Sequence, residues 1–207
     1  MMAELVPLFA SVIVISFSGV MMPGPMFAVT LAKSYKTPLA GVWISLGHAV
    51  VEVPVILLIY FGFARFFENQ TVQLALSLAG GAMIVFMGIG MFTSRHRVVT
   101  EGRDVPYSAF TAGIVMSGLN PFFLLWWATV GSLLIMRVAP FGAAVLMAFI
   151  LVHWLCDLVW LSTVSGLVYK TNRFWGNHFQ MWVFVLNSLF LAGFGVYFIV
   201  SGLGSVL

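Results

Sequence analysis

The stretch Met22-Pro23-Gly24-Pro25 decides the fold, because it places two prolines inside an uncharged apolar run that extends from Leu5 to Ala32. Proline has no backbone N–H group, and its ring clashes with the carbonyl group four residues earlier in a helix. The sequence therefore predicts a helix break that leaves the carbonyl groups of Gly19 and Met21 without helical partners. Hydrocarbon cannot satisfy free backbone groups, so such a break is tolerated only where it is buried in protein or lines a wet cavity.

The same stretch predicts the start of a second half-helix. Gly24 can serve as its cap and Pro25 as its first residue. The free N–H groups of Met26, Phe27 and Ala28 would then form a positive helix end at membrane depth.

A second stretch, Asn120-Pro121, repeats this arrangement inside the uncharged run from Val105 to Met136. Asn120 is the predicted cap and Pro121 the predicted first residue of another half-helix. Each break follows a Ser-Gly pair, Ser18-Gly19 or Ser117-Gly118. We therefore predict broken helices in the first and fourth apolar spans. Both serines could line a site between the breaks, or could instead bond back to their own helices.

Composition restricts the chain to one class of protein. Of its 207 residues, 62% are hydrophobic and 7% are charged, whereas soluble domains carry roughly 25% charged residues. Residues 1–207 are therefore predicted to form a single membrane domain. The net charge of +3 does not indicate nucleic-acid binding, because the basic residues lie in joints between apolar runs. The single cysteine, Cys156, permits no disulfide within the chain, and we predict no cofactor and no cleavable signal peptide.

Apolar runs of about 20 residues predict membrane-spanning helices. The runs cover about residues 5–32, 38–64, 71–92, 107–136, 141–169 and 179–207. The predicted fold class is therefore an all-α polytopic membrane protein with six transmembrane helices. Lysine and arginine mark cytoplasmic joints, and of the nine such residues only Arg65 and Arg137 lie outside the first, third and fifth joints. We therefore expect a multi-pass protein of the cell membrane with both termini outside.

The two halves of the chain resemble each other. The second span carries His48 and Glu52, and the breaks fall in spans one and four. The fifth span carries His153 and Asp157 at the same spacing. Three spans per half insert the second half upside down, so we predict a 3+3 inverted-topology repeat with a binding site at the midplane. The predicted parts are repeat one (about 1–93), a cytoplasmic joint (about 94–106) and repeat two (about 107–207).

The two His–acid pairs are the candidate binding residues for substrate and protons. Residues four apart share a helix face, so the members of each pair point together. A charge at the middle of a span costs roughly 2.5–3.5 kcal/mol, and such residues face a cavity or one another. The carboxylates of Glu52 and Asp157 would attract an amino group or a proton, and the positive half-helix ends would attract a carboxylate group of the substrate. A site with both features suits a zwitterion such as an amino acid. The alternative is that each pair forms a hydrogen bond that locks helix packing.

The tryptophans Trp126 and Trp127 follow the second break. They could gate the cavity or contact an ammonium group, and packing or lipid contact is the alternative. Glycines of the third and sixth spans would let helices approach closely, either within the chain or in a homodimer. The expected partners are a small-molecule substrate, protons and the lipid bilayer, with a homodimer left open and no nucleic acid.

Two other functions could use the same residues. Two imidazoles and two carboxylates would suit a divalent metal-ion transporter, although positive helix ends beside the site would repel a cation. The set for this alternative is His48, Glu52, His153 and Asp157. An intramembrane hydrolase would need a nucleophile, a base and an orienting group within reach, for which Ser18 or Ser117 with His48 or His153 could be considered. No His-Glu-x-x-His pattern is present, and we expect no enzyme activity.

On these motifs the chain resembles the lysine exporter superfamily, which includes the lysine exporter and threonine/homoserine exporter branches. The shared motifs are Pro23-Gly24-Pro25, Gly41-x5-Gly47-His48, an arginine-rich central joint and Gly118-Leu119-Asn120-Pro121. The resemblance implies proton-driven export of amino acids or related small metabolites. It places the motif positions of that superfamily at Pro23, Gly24, Pro25, Asn120 and Pro121. Phe122 stands where those proteins often have a lysine, so lysine is not carried over as the substrate.

Overall fold

The computed structural model describes residues 2–22, 24–63, 69–101, 108–171, 174 and 177–204. Pro23, one of the predicted break prolines, lies outside the described residues. Every regular element in the described ranges is helical. The α-helices are α1 (Met2–Val20), α2 (Pro25–Ser34), α3 (Ala40–Leu58), α4 (Gln70–Glu101), α5 (Ala109–Gly118), α6 (Pro121–Trp126), α7 (Ser132–Val138), α8 (Ala143–Thr171) and α9 (Asn177–Gly204). Wider π-helical turns follow α3 (Ile59–Phe63) and α6 (Trp127–Gly131), and a short 3₁₀ turn (Ala139–Phe141) precedes α8.

The first break lies between α1 and α2, whose axes differ by 74°. Gly24 caps α2 in an extended conformation, and Pro25 begins the helix. The expectation about free backbone groups is wrong for Ala28, and the Gly19 carbonyl, which loses its helical partner as expected, finds another partner in a turn. The carbonyl of Gly19 accepts a hydrogen bond from the N–H group of Met22 at 3.2 Å, and the N–H group of Ala28 donates to the carbonyl of Gly24 at 2.9 Å. A tight turn and the helical cap satisfy these groups, so fewer of them are free at the break.

The second break lies between α5 and α6. Asn120 caps α6, because its side-chain oxygen accepts a hydrogen bond from the N–H group of Phe122 at 3.1 Å, and Pro121 begins the helix. The backbone N–H group of Asn120 donates to the carbonyl of Ser117 at 3.1 Å. The predicted break and cap are therefore present, and the cap already occupies one donor of this helix end.

The lengths of the helices fit a membrane protein. Among the described residues, four stretches are long and apolar enough to span a bilayer, and the bent pair of α1 and α2 would make a fifth. The four stretches are Ala40–Gly62, Phe122–Phe141, Ala143–Thr171 and Phe184–Gly204. The number six, and with it the 3+3 repeat, stays a prediction.

The helix α4 is longer than predicted, so the predicted boundary between the third span and the following joint is wrong. It continues through the predicted third span and into the segment 94–106, which was expected to be a polar joint, and ends at Glu101. Its 32 residues correspond to about 48 Å at 1.5 Å per residue. Polarity marks the end of the apolar run but does not end the helix, because no glycine or proline occurs between Thr93 and Glu101.

Helix α3 occupies the centre of the bundle, where it packs on both α5 and α8. Glycines permit this approach: a Cβ atom at Gly113 of α5 would lie 2.2 Å from the carbonyl oxygen of Ile44 on α3. A Cβ atom at Gly41 of α3 would lie 2.1 Å from the carbonyl oxygen of Leu161 on α8. Because α1 also packs on α8 and α4 pairs with α9, side chains from both halves of the chain converge beside the two breaks.

Candidate functional site

A cavity with a volume of about 90 Å³ lies beside the two breaks. The break residues Gly24, Pro25 and Asn120 contribute to its lining. All four predicted His–acid residues line it as well, and we call them the His–acid cluster: His48, Glu52, His153 and Asp157. The structure thus brings the caps of both half-helices and both His–acid pairs to one cavity.

Glu52 is the hub of the His–acid cluster. Its Oε1 atom lies 3.0 Å from Nε2 of His48 and 3.1 Å from Nε2 of His153. The first contact joins residues one helical turn apart, and the second joins α3 to α8. Each member of the cluster is at most 3% exposed, so these contacts are shielded from solvent. One oxygen atom therefore links the two imidazoles, which come from different halves of the sequence.

Asp157 is held less tightly than Glu52. Its Oδ1 atom lies 3.8 Å from Nε2 of His48, and its Oδ2 atom lies 3.9 Å from Nε2 of His153. Both distances exceed that of a hydrogen bond. Among the described residues, no hydrogen-bond partner is present for Oδ2 of Asp157 or for Oε2 of Glu52. The cluster therefore keeps two buried acceptor atoms available.

Two serines orient the imidazoles from the far side of each ring. The hydroxyl group of Ser117 lies 2.7 Å from Nδ1 of His48, and that of Ser16 lies 2.7 Å from Nδ1 of His153. Ser16 was missed by the sequence analysis, which named Ser18 instead. Ser18 donates to the carbonyl of Ile15 at 2.6 Å, as its stated alternative predicts, and it is not among the residues that line the cavity. Pattern alone could not choose between the serines of α1.

Aromatic rings enclose the cluster. Trp126 and Trp127 both line the cavity, with ring centroids 5.4 Å and 5.0 Å from that of His153. The rings of Phe123 and His48 pack in a T-shaped arrangement, with their centroids 5.2 Å apart. A Cβ atom at Gly19 would lie 2.8 Å from Nε1 of Trp126, so the glycine of the first Ser-Gly pair makes room for this indole. The tryptophans therefore pack and line the cavity, and gating by them stays a prediction.

The π-helical turn after α6 aims Trp127 at the cluster. Such turns widen the helix by one residue and are frequent at functional sites. The hydroxyl group of Ser132 donates to the carbonyl of Trp127 at 2.8 Å, which occupies a carbonyl group within the widened turn. Trp127 is fully buried, and its indole N–H group has no partner among the described residues. The turn thus fixes a large ring directly beside His153.

A helical membrane protein with interrupted helices and a buried ionisable cluster beside the interruptions has the features of a membrane transporter. The model of the family described as LysE type translocator matches residues 17–202. The chain therefore belongs to the LysE type translocator family, which confirms the resemblance drawn from the sequence motifs. Membership implies membrane transport of amino acids or related compounds, and the proteins of this family are transporters rather than enzymes. Comparisons with curated proteins and with solved structures gave no match.

Proposed function

We propose that the protein is a proton-coupled exporter of amino acids or related small zwitterions, which bind in the cavity at the His–acid cluster. The observation that carries the proposal is the pair of buried carboxylate oxygens without partners, Oε2 of Glu52 and Oδ2 of Asp157. A buried polar group without a hydrogen bond costs about 1–3 kcal/mol, and more when it is charged. A ligand that donates hydrogen bonds to both oxygens would remove this cost.

The amino group of the substrate is the proposed donor. An ammonium group carries a positive charge and three N–H bonds, which suits two carboxylates in one pocket. The nearby rings of Trp126 and Trp127 offer faces to a cation as well. Bound in this way, the ammonium group would lie at the centre of the cavity, against α3 and α8.

The carboxylate of the substrate would lie at the N-terminal end of α2. Gly24, Pro25 and Met26 line the cavity at this end, and proline at the first helical position lacks an N–H group. The helix macrodipole makes this end positive. With Ala28 bonded to the cap, the N–H groups of Met26 and Phe27 are the proposed donors to the carboxylate.

Exchange of protons for substrate follows from the cost of buried charge. Two carboxylates and two imidazoles remain close to neutral as a group when protons are shared among them, and an uncompensated charge at this depth is expensive. An arriving ammonium group adds positive charge, which the cluster can offset by releasing a proton. Alternate occupation by substrate and protons would couple the two flows in opposite directions.

The size of the cavity favours compact substrates. Its volume of about 90 Å³ is below the roughly 150 Å³ of a protein cavity that binds benzene. Amino acids with short side chains therefore fit this arrangement better than long cationic ones, and they come first in a substrate panel.

Transport by the purified protein in liposomes tests the proposal. An imposed pH difference should move labelled short-chain amino acids toward the acidic side, because antiported protons leave that side. A protonophore should abolish this movement, and protein-free liposomes provide the baseline. If no amino acid on a broad panel moves in response to the gradient, the proposal fails.

The metal-ion alternative can be separated in the same vesicles. Ligand atoms of His48, Glu52 and Asp157 all lie within 4.8 Å of one another, so a cation could in principle be held. The shortest N–O contacts, at 3.0 and 3.1 Å, have the length of hydrogen bonds, which favours protons. Movement of Zn²⁺ or Co²⁺ without movement of amino acids would support the alternative.

The proposed arrangement in the cell membrane is an inverted repeat with both termini outside. In an inverted repeat, α1 corresponds to α5 and α3 corresponds to α8. The contact between α3 and α5 should then have a counterpart between α8 and α1, and both contacts are present. The pairs α3–α8 and α4–α9 map onto themselves in the same way. This correspondence supports a 3+3 repeat around the cavity.

A further inference from the structure

We propose that Ser117 is a positioning residue that fixes the tautomer of His48 and thereby holds one proton between His48 and Glu52, whereas His153 is not fixed in this way. This proposal rests on the proposed proton-coupled transport. It predicts that the two histidines, which occupy matching places in the two halves of the sequence, have unequal roles.

The hydrogen atoms around Ser117 can be assigned from its contacts. Its Oγ atom lies 2.6 Å from the carbonyl oxygen of Gly113 and 2.7 Å from Nδ1 of His48, and the third contact, to the sulfur of Met26, is 3.6 Å long. A hydroxyl group has one hydrogen, and a carbonyl oxygen can only accept. The hydrogen of Ser117 therefore lies toward Gly113, so Nδ1 of His48 must carry a hydrogen and donate it to Ser117.

This assignment determines what lies between His48 and Glu52. A neutral imidazole with its hydrogen on Nδ1 presents a lone pair at Nε2. That atom lies 3.0 Å from Oε1 of Glu52, where an ionised carboxylate presents a second lone pair. The contact is favourable only if a further proton lies on one of these two atoms. It is then either an imidazolium–carboxylate pair or a neutral imidazole that accepts from a carboxylic acid.

The His153 side needs no further proton. The hydroxyl group of Ser16 makes one hydrogen bond among the described residues, to Nδ1 of His153 at 2.7 Å, so its hydrogen is free to point at that nitrogen. Neutral His153 can then donate from Nε2 to Oε1 of Glu52, 3.1 Å away. The hydroxyl group can also rotate when Nδ1 gains a hydrogen. This imidazole can therefore change its protonation without breaking a backbone contact.

Among the described residues, the proton acceptors that lie near His48 all belong to the His–acid cluster. Glu52 contacts His48 from its own helix, Asp157 lies 3.8 Å away on α8, and His153 of α8 contacts the same Oε1 atom of Glu52. From α5 and α6 the neighbouring side chains are Ser117 and Phe123, neither of which titrates near neutral pH. In the described part of the chain, the resident proton is thus confined to the cluster. When substrate displaces it, the O–H or N–H bond that holds it breaks, and the proton leaves through the cavity to water.

The matched variants Ser117→Ala and Ser16→Ala test the proposal. Both remove one hydroxyl group that contacts a histidine, so a general loss of packing should affect them alike. In liposomes, we expect Ser117→Ala to reduce the number of protons moved per substrate by about half or more and to shift the pH profile of transport. Ser16→Ala should slow transport but change the proton-to-substrate ratio less than Ser117→Ala does, and Ser117→Thr, which restores a hydroxyl group, should recover the ratio.

Nitrogen NMR of histidine-labelled protein gives a readout that is independent of transport. With His96 and His178 replaced by glutamine, two labelled histidines remain, and His48→Gln assigns them. The wild-type chain should show a hydrogen on Nδ1 of His48, and Ser117→Ala should remove it. A wild-type Nδ1 without hydrogen, or equal proton ratios in the two alanine variants, would overturn the proposal. Absence of any substrate-driven proton movement in the wild-type protein would instead refute the proposed function, while the NMR result would still decide the tautomer.

Discussion

Replacement of Glu52 by glutamine should reduce proton-driven transport by roughly 100-fold while leaving the protein folded. Oε1 of Glu52 contacts both imidazoles, and its Oε2 atom is one of the two proposed acceptors for the substrate. Hydrogen bonds to a charged group contribute about 1.5–3 kcal/mol each, and every 1.4 kcal/mol corresponds to about tenfold. Glutamine keeps the shape of the side chain but can neither hold the proton nor carry the charge.

Gradient-driven transport of the best substrate, measured in liposomes, checks this expectation. Glu4→Gln in the first turn of α1 is the matched control, because it makes the same chemical change at a residue that is not among those lining the cavity. Elution profile and thermal unfolding in detergent establish that both variants are folded. If Glu52→Gln transports at the wild-type rate with an unchanged response to the pH gradient, Glu52 is not part of the coupling site.

Replacement of Gly19 by valine should reduce transport about tenfold. A Cβ atom there would lie within 3.3 Å of three atoms of the Trp126 indole, and valine adds two methyl groups beyond it. The ring must then leave its stacked position against His153, which changes the shape of the cavity. Overpacking of this kind typically costs about 1–3 kcal/mol, and about 1.4 kcal/mol corresponds to tenfold.

The second Ser-Gly pair provides the control for this variant. Gly118 also lies beside a break, but nothing lies within 4 Å of a Cβ atom added there. Gly118→Val should therefore transport at close to the wild-type rate. Combination of Gly19→Val with Trp126→Phe should restore part of the lost activity, because the smaller ring vacates the space. Equal losses in the two valine variants would show that the Trp126 contact is not the cause.

Local signals in the sequence predicted the breaks and their caps. Proline removes a hydrogen-bond donor wherever it stands in a helix, so Pro25 and Asn120-Pro121 mark their positions without reference to the rest of the fold. The spacing of four residues placed His48 with Glu52 on one helix face by the same kind of local rule. These features depend only on the covalent geometry of proline and on the helical period, so residue types and their spacing are enough to predict them.

Contacts between helices that are distant in the sequence were harder to predict. The likeness of the two halves suggested that the His–acid pairs meet, but Glu52 as the shared hub depends on the packing of α3 against α8. Ser16 could not be chosen over Ser18, because the rotation of α1 about its axis decides which serine faces His153. Polarity also misplaced the end of α4, where the guanidinium group of Arg95 lies 3.8 Å from the ring centre of Phe92 and the helix continues.

A structure determined by electron cryo-microscopy with a transported amino acid bound tests the central claim most directly. We expect the substrate nitrogen within hydrogen-bond distance of both Oε2 of Glu52 and Oδ2 of Asp157, and the substrate carboxylate at the start of α2. A substrate bound elsewhere, or a straight helix running through Pro25 beside an empty cluster, would contradict it.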